Sequence, residues 1–294
     1  MVIGVIGGGA SGMAAAIAAA ENPNIQVKLF ERQARVGKKL LATGNGRCNL
    51  TNLHALEGGF HGDDPEFSRY AIQNFDPQDT IQWFQNMGLF TVAEESGRVY
   101  PYSNHANSVL DVLRLSLLKP NISLLTGFEV QKIRRDDNGF LVQSADESIF
   151  CDRLIIACGG LAGTKLGGSM SGYRLLEKFG HRSTRLRPAL VQLKCGWAGI
   201  AALKGVRTNC RIEIRKDDAL FSSGEGELQF TDYGLSGPVI FEVSRDVCFG
   251  GSDWVARLDF LPEYGLEMLQ QELERRREAK QPVEELLTGI VLHL

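Results

Sequence analysis

Six residues near the amino terminus, Gly7-Gly8-Gly9-Ala10-Ser11-Gly12, have the spacing G-x-G-x-x-G. Gly7 permits a tight turn out of a strand. Gly9 lets the backbone approach a pyrophosphate with no Cβ between them, and Gly12 lets the following helix pack close to the strand. The helix N-terminus then offers free N–H groups and positive dipole to phosphate oxygens. Glu31 stands nineteen residues after Gly12, at the end of the next apolar run. A carboxylate there accepts hydrogen bonds from both hydroxyls of a ribose. Together these residues can hold a dinucleotide. Arg32 suggests a ribose phosphate, as in NADP, but the charge of Glu31 would repel that phosphate. The adenosine of FAD or NAD is the better match.

Such a motif works only between a strand and a helix. Val2–Ile6 is short, apolar and β-branched, a buried strand, and residues 10–21 are alanine-rich and read as helix. Residues 25–31 alternate as a second strand. Residues 32–53 read as a polar, glycine-punctuated loop with five cations, Arg32, Arg35, Lys38, Lys39 and Arg47. Asp76-Pro77 starts a helix that Gly88 stops. Residues 89–100 form a hairpin turning at Ser96-Gly97, and 107–119 an amphipathic helix. Strands follow at 122–125, 129–135, 140–144, 148–151 and 154–157, the last leaving through Cys158-Gly159-Gly160, with a helix at 171–180. A simple nicotinamide dehydrogenase would run from its second strand into another βα crossover. A basic loop, helices, a β-meander at 129–151 and a Gly-Gly strand exit stand here instead. That is the insertion pattern of an FAD domain of the glutathione-reductase type.

The expected fold class is therefore α/β, a Rossmann-like FAD-binding domain over 1–185 with a second, β-rich domain over 186–294. The second part carries strands at 191–195, 207–215, 227–230 and 254–260. Helices are expected at 234–245, entered at a tight turn, and over Leu266–Glu278. The length of 294 residues allows two moderate cores. The first twenty residues are apolar, but they lack a basic leader, and a folded strand-turn-helix explains them better than a signal peptide. No apolar run is long enough for a membrane helix. The six cysteines (48, 151, 158, 195, 210, 248) have no CxxC spacing, which argues against zinc and disulfide scaffolds and suits the reducing cytoplasm. Net charge is −3, yet residues 178–216 hold ten Lys/Arg against the single acid Glu213. Such a band is either a solvated β surface or a contact for RNA phosphates.

The stretch 37–52, GKKLLATGNGRCNLTN, mixes glycines, cations and amide or hydroxyl donors that can wrap an anionic ligand. It closely resembles the signature of the BaiN/RdsA-like flavoproteins, the YhiN-type family. LIIACGG at 154–160, RPALVQL at 187–193 and FTDYGLSGP at 230–238 resemble that family too, so the likeness spans essentially the whole chain. It implies non-covalent FAD and reduction by NAD(P)H of a substrate that the sequence does not name. It implies cofactor contacts at Gly7, Gly9, Ala10, Ser11, Gly12, Glu31, Arg32, Lys39, Arg47, Cys48, Asn49, Val130, Gly159 and Gly160. Arg47, Cys48 and Asn49 are expected near the flavin ring, where a cation or donor stabilises the reduced anion. Two features depart from the pattern. Ser171-Gly172-Tyr173 stands where the family has Gly-Asp-Gly-Tyr. The chain stops at 289–294, where the family continues into a segment that completes the FAD site, so one wall of the flavin pocket is expected to be absent.

Other residues invite chemistry and are read more plainly. Cys48 has no CxxxxC partner, which excludes dithiol chemistry; it is the one catalytic candidate, as a lone thiol beside the flavin, against a packed structural thiol. Cys158 reads as packing. His54, His61, His105, His181 and His293 have no spacing for a metal or a triad. Ser236 sits in GLSGP, close to a nucleophile elbow, but Pro238 replaces the last glycine and no strand clearly leads into it. Tyr100-Pro101-Tyr102 reads as a surface turn or substrate rim. Three functions remain open: an FAD-dependent NAD(P)H oxidoreductase, a flavin-dependent reductase of uridine in ribosomal RNA, and a non-catalytic FAD-binding remnant.

Overall fold

Hydrophobic runs and turn chemistry account for most elements of the computed structural model, which describes residues 1–248, 250, 251 and 253–291. They fall into two compact units, Met1–Thr184 and Arg185–Leu294. The first runs β1 Val2–Ile6, α1 Ala10–Ala19, β2 Gln26–Glu31, β3 Thr51–Asn52, α2 Arg69–Asn74, α3 Pro77–Asn86, β4 Thr91–Ala93, β5 Arg98–Pro101, α4 Ala106–Ser116, β6 Ile122–Thr126, β7 Lys132–Arg135, β8 Phe140–Gln143, β9 Ser148–Cys151, β10 Arg153–Ile156 and α5 Ser171–Glu177.

Its central sheet has the order β10-β1-β2-β6, and every pair is parallel. Parallel strands need long crossovers and cover on both faces, which is why β1 is apolar throughout and β2 buries Val27, Leu29 and Phe30. On one face Val5, Val27 and Leu29 pack with Met13, Ala16 and Ile17 of α1 and Val109 and Leu113 of α4. On the other, Ile6 and Phe30 pack with Phe128, Ile133, Val142, Cys151 and Leu175. The antiparallel sheet β7-β8-β9 supplies that second cover within the crossover from β6 to β10. Its first turn is held by Asp136, whose Oδ1 accepts the N–H groups of Asn138 and Gly139, both at 2.9 Å. At α3 the Asp76 carboxylate accepts from Asp79 N at 2.8 Å, the Asp79 carboxylate accepts from Asp76 N at 3.0 Å, and Pro77 stands at the first helical position.

The segment 32–53 is not a plain loop. Val36 and Leu40 are buried, Leu40–Gly46 winds into two short 3-10 turns, and Thr51–Asn52 pairs with β5. Cations and glycines masked these two apolar anchors in the sequence.

The second unit contains β11 Leu193–Lys194, β12 Arg207–Lys216, β13 Ala219–Phe230, β14 Gly234–Ser236, α6 Pro238–Cys248, β15 Val255–Asp259 and α7 Leu266–Glu278. Its antiparallel sheet has the order β11-β14-β13-β12-β15. Val239, Ile240 and Val243 of α6 pack with Cys210, Ile212, Ile214 and Leu228 of the sheet. β13 begins eight residues before the expected strand, because β12 pairs the small, polar run 222–226 along its whole length. The expected helix over 234–245 is corrected: Gly234–Ser236 is a strand, and α6 starts only at Pro238. The break is Gly237, at φ +102°, where a Cβ would lie 2.6 Å from Glu227 O. A strand thus does lead into Ser236. The serine is buried, however, and its glycine neighbour takes the left-handed conformation, so it lacks the exposed, strained geometry of a nucleophile elbow.

Asn121 closes the α1–β2 connection. It is buried, and its Nδ2 donates to Ala20 O and Ile25 O, both at 3.0 Å. Replacing it orphans these carbonyls at about 1–3 kcal/mol. Asn121→Ala is expected to lower the melting temperature by roughly 2–10 °C in calorimetry, with the far-ultraviolet spectrum unchanged.

Candidate dinucleotide site

The carboxyl ends of β1, β2 and β10 open into a cavity of about 420 Å³. Its floor is set by backbone contacts that exclude side chains. A Cβ on Gly12 would stand 1.7 Å from Gly7 O, and one on Gly7 would stand 2.4 Å from Ala157 O. At Gly9 a Cβ would meet nothing within 4 Å, so this glycine keeps open the space in front of α1. The first N–H groups of α1 have no partner within the helix and no side chain caps them. They face the cavity from Ala10 and Ser11.

Glu31 is held from both sides. Gly8 N–H donates to Oε2 at 2.7 Å and Gln33 N–H to Oε1 at 2.7 Å. Each oxygen keeps a further lone pair, so the carboxylate is oriented and still able to accept from two hydroxyls. Arg32 turns aside: Nη2 donates to Gly167 O, and Nη1 lies 3.5 Å from Ser169 Oγ. Lys39 Nζ reaches Gly160 O at 3.5 Å. Both cations therefore tie the 160–169 segment beside the cavity, and a bound phosphate could compete for them.

Of the residues singled out from sequence, Gly7, Gly9, Ala10, Ser11, Glu31, Arg32, Lys39, Cys48, Asn49, Val130 and Gly159 line this one cavity. Gly12, Gly160 and Arg47 do not. Gly12 lies beneath the turn. Gly160 uses its carbonyl for Lys39 and for Ser169 N–H at 3.2 Å. The expectation for Arg47 needs the larger correction. Its guanidinium stacks on Tyr100 at 3.7 Å from the ring centroid, donates to Asn104 Oδ1 and pairs with Glu94 at 2.5 Å. It clamps the loop from outside, and Tyr100 is buried beneath it as a stacking surface. Gly8, Gln33, Phe128 and Ser171 also line the cavity but were not singled out as cofactor contacts; Gly8, inside the motif, and Ser171, in the segment that departs from the family pattern, carried a signal, and Gln33 and Phe128 carried none.

Cys48 is buried at φ +60° in a run where Gly44, Asn45 and Gly46 are also left-handed. Burial raises its thiol pKa, and a hydrogen bond with Thr43 only partly offsets this. Burial likewise raises Cys158, with Arg32 opposing and Glu31 reinforcing the shift. Cys158 donates to Ile6 O at 3.4 Å, as a packed thiol does. Cys48 and Asn49 also border a second cleft of about 500 Å³, lined by Ala14, Ala15 and Ala18 of α1 and by Phe75, Trp83 and Phe84. The alanine stripe on α1 was the overlooked signal for it. Among the described residues, no group of His, Cys, Asp and Glu could hold a metal ion; His293 lies outside them.

Two outcomes follow. Glu31→Gln replaces one acceptor by an amide donor facing a backbone N–H, so affinity for an adenine dinucleotide should fall roughly tenfold by calorimetric titration. A thiol with a raised pKa is protonated at neutral pH, so Cys48 should react slowly with iodoacetamide at pH 7.5. Its rate should rise only beyond the pH at which an ordinary thiol ionises. Peptide-resolved mass spectrometry separates it from the other five cysteines.

The chain is 41% identical over 265 residues to a 3-dehydro-bile acid delta(4,6)-reductase of Clostridium scindens, covering 89% of this chain and 64% of that protein. It is 29% identical over 293 residues to a ribosomal RNA dihydrouridine synthase of Escherichia coli, covering 99% of this chain and 70% of that protein. The chain thus spans about two thirds of the length of these relatives. The family model described as the HI0933-like protein Rossmann domain matches residues 1–248. With a parallel sheet, a glycine turn under an open helix N-terminus and an oriented acid at the end of β2, this chain belongs to the HI0933-like Rossmann-domain family.

Proposed function

We propose that the chain is the FAD-binding part of an FAD-dependent oxidoreductase that passes electrons from NAD(P)H to an apolar substrate in the cytoplasm. The observation that carries this reading is the junction at Cys48 and Asn49 of two hollows, one lined in part by charged side chains and one without any. The first has apolar walls but also carries Glu31, Arg32 and Lys39 beside the open end of α1, groups that suit a dinucleotide. α1 meets the pyrophosphate, Glu31 the ribose, and Lys39 and Arg32 stand within reach of the phosphates. The second is lined without a single Lys, Arg, Asp or Glu. A flavin bound in the first would supply hydride chemistry at the boundary of the two. There Asn49 can orient a carbonyl or ring nitrogen, and the apolar walls offer a hydrophobic surface to a substrate. The uncharged thiol of Cys48 adds packing rather than a nucleophile. The six cysteines are free, which suits a reducing compartment, and no helix among the described residues is long and apolar enough to cross a membrane.

The bile-acid reductase relative favours an apolar substrate; the ribosomal RNA relatives favour a second reading, reduction of uridine in RNA. The band at 178–216 is the observation on that side. Its charge is partly met locally: Arg207 pairs with Glu227 at 3.5 Å, Arg211 with Glu225 at 3.2 Å, Arg215 with Glu213 at 2.9 Å and Lys204 with Asp232 at 3.4 Å. Apart from the half-buried Arg215–Glu213 pair these are exposed and weak, and RNA phosphates could displace them. The salt-free walls of the cleft still favour the apolar substrate.

Titration with FAD should quench flavin fluorescence saturably and raise the melting temperature, and NADH or NADPH added anaerobically should bleach the bound flavin. No response to FAD would leave a folded domain without its cofactor; protection by NAD but not FAD would replace the reading by a nicotinamide site. For the second reading, changing Arg207, Arg211 and Arg215 together to alanine should weaken RNA binding and flatten its salt dependence. Unaltered binding removes RNA from consideration.

A further inference from the structure

Leu175 lines the dinucleotide cavity and also a separate pocket of about 270 Å³ against β7, β8, β10 and α5. The body of this pocket is apolar: Ile133, Phe140, Ile156, Leu176 and Phe179 form most of it. Phe140 and Phe179 meet edge to face at 6.0 Å between centroids, which gives it a fixed aromatic wall. Arg135 and His181 are the two polar residues of the lining. Both are exposed, and neither side chain has a hydrogen bond or ion pair among the described residues. The acid next to Arg135 in sequence, Asp136, is committed to its own turn through Asn138 and Gly139. The guanidinium is therefore left for a ligand.

We propose that this pocket binds a small carboxylate with an apolar body, of the class of a medium-chain fatty acid or an arylalkanoate. Such a ligand is complementary to the pocket in two ways. An apolar tail gains by displacing water from the aliphatic and aromatic lining. The carboxylate meets a planar guanidinium that binds such groups bidentately, with the imidazole as a second donor. A neutral hydrocarbon would leave that cation unused, and inorganic phosphate would leave the apolar lining wet. Since Leu175 is a wall of both hollows, such a ligand sits one side chain away from the dinucleotide. The site itself does not depend on which dinucleotide is bound there.

Isothermal titration calorimetry with octanoate below its micellar concentration tests this, with octan-1-ol and inorganic phosphate as controls. Octanoate should bind saturably, octan-1-ol and phosphate far more weakly. Arg135→Gln, a surface change, should weaken octanoate by roughly tenfold or more, and Leu176→Trp, which fills the pocket, should abolish binding. Melting curves confirm that both variants fold, and Arg135→Gln alone decides the matter if Leu176→Trp does not. The proposal is overturned by absent or non-saturating octanoate binding. It is equally overturned if octan-1-ol binds as tightly as octanoate, or if a folded variant retains full octanoate affinity.

Discussion

Where α1 leaves β1, two stretches of backbone touch with no room for a side chain. A Cβ at Gly12 would stand 1.7 Å from Gly7 O, well inside any tolerated contact. This approach seats the helix against the carboxyl edge of the parallel sheet. It thereby aims the free N–H groups of α1 at the place where ligands of such sheets bind. Gly8 then reaches across to the carboxylate ending β2. The open end of α1 and the carboxylate ending β2 are thus coupled through three consecutive glycines.

The far side of the cavity is built on a less comfortable backbone. Gly44, Asn45, Gly46 and Cys48 are all left-handed, and for a cysteine this costs about 1–2 kcal/mol. The conformation persists because its surroundings hold it. Thr43 O accepts from Cys48 N at 3.0 Å, and Arg47 is fixed by Tyr100, Glu94 and Asn104. The most distinctive cation of the loop therefore organises the site instead of entering it. Its clamp brings Cys48 and Asn49 to the seam between the cavity that carries charged side chains and the uncharged cleft.

The second unit follows a different logic. Its long β12–β13 ladder sets Arg207 opposite Gln229, Asn209 opposite Glu227 and Arg211 opposite Glu225. Charges that run as one sign along the chain become mixed in sign across the sheet. Their net field on that surface is smaller than the count over 178–216 implies.

The sequence by itself determined the beginning of the fold and the place of the acid at the end of β2. β1, the glycine turn, α1 and Glu31 interact locally, so spacing alone specifies them. The β-meander and the Gly-Gly exit were legible for the same reason: turn residues and short apolar runs mark them. Tertiary structure decided whatever depended on partners distant in sequence. It set the pairing of 222–226 with β12, the strand before Gly237, the removal of Arg47 to Tyr100, and the cleft between α1 and α3. A residue type reports what a side chain can do; which neighbour it meets depends on chain crossings tens of residues apart, and no local pattern encodes those. At Glu31 the two levels meet. Its position was written in the spacing, but only the folded chain brought Gly8 and Gln33 to orient its carboxylate.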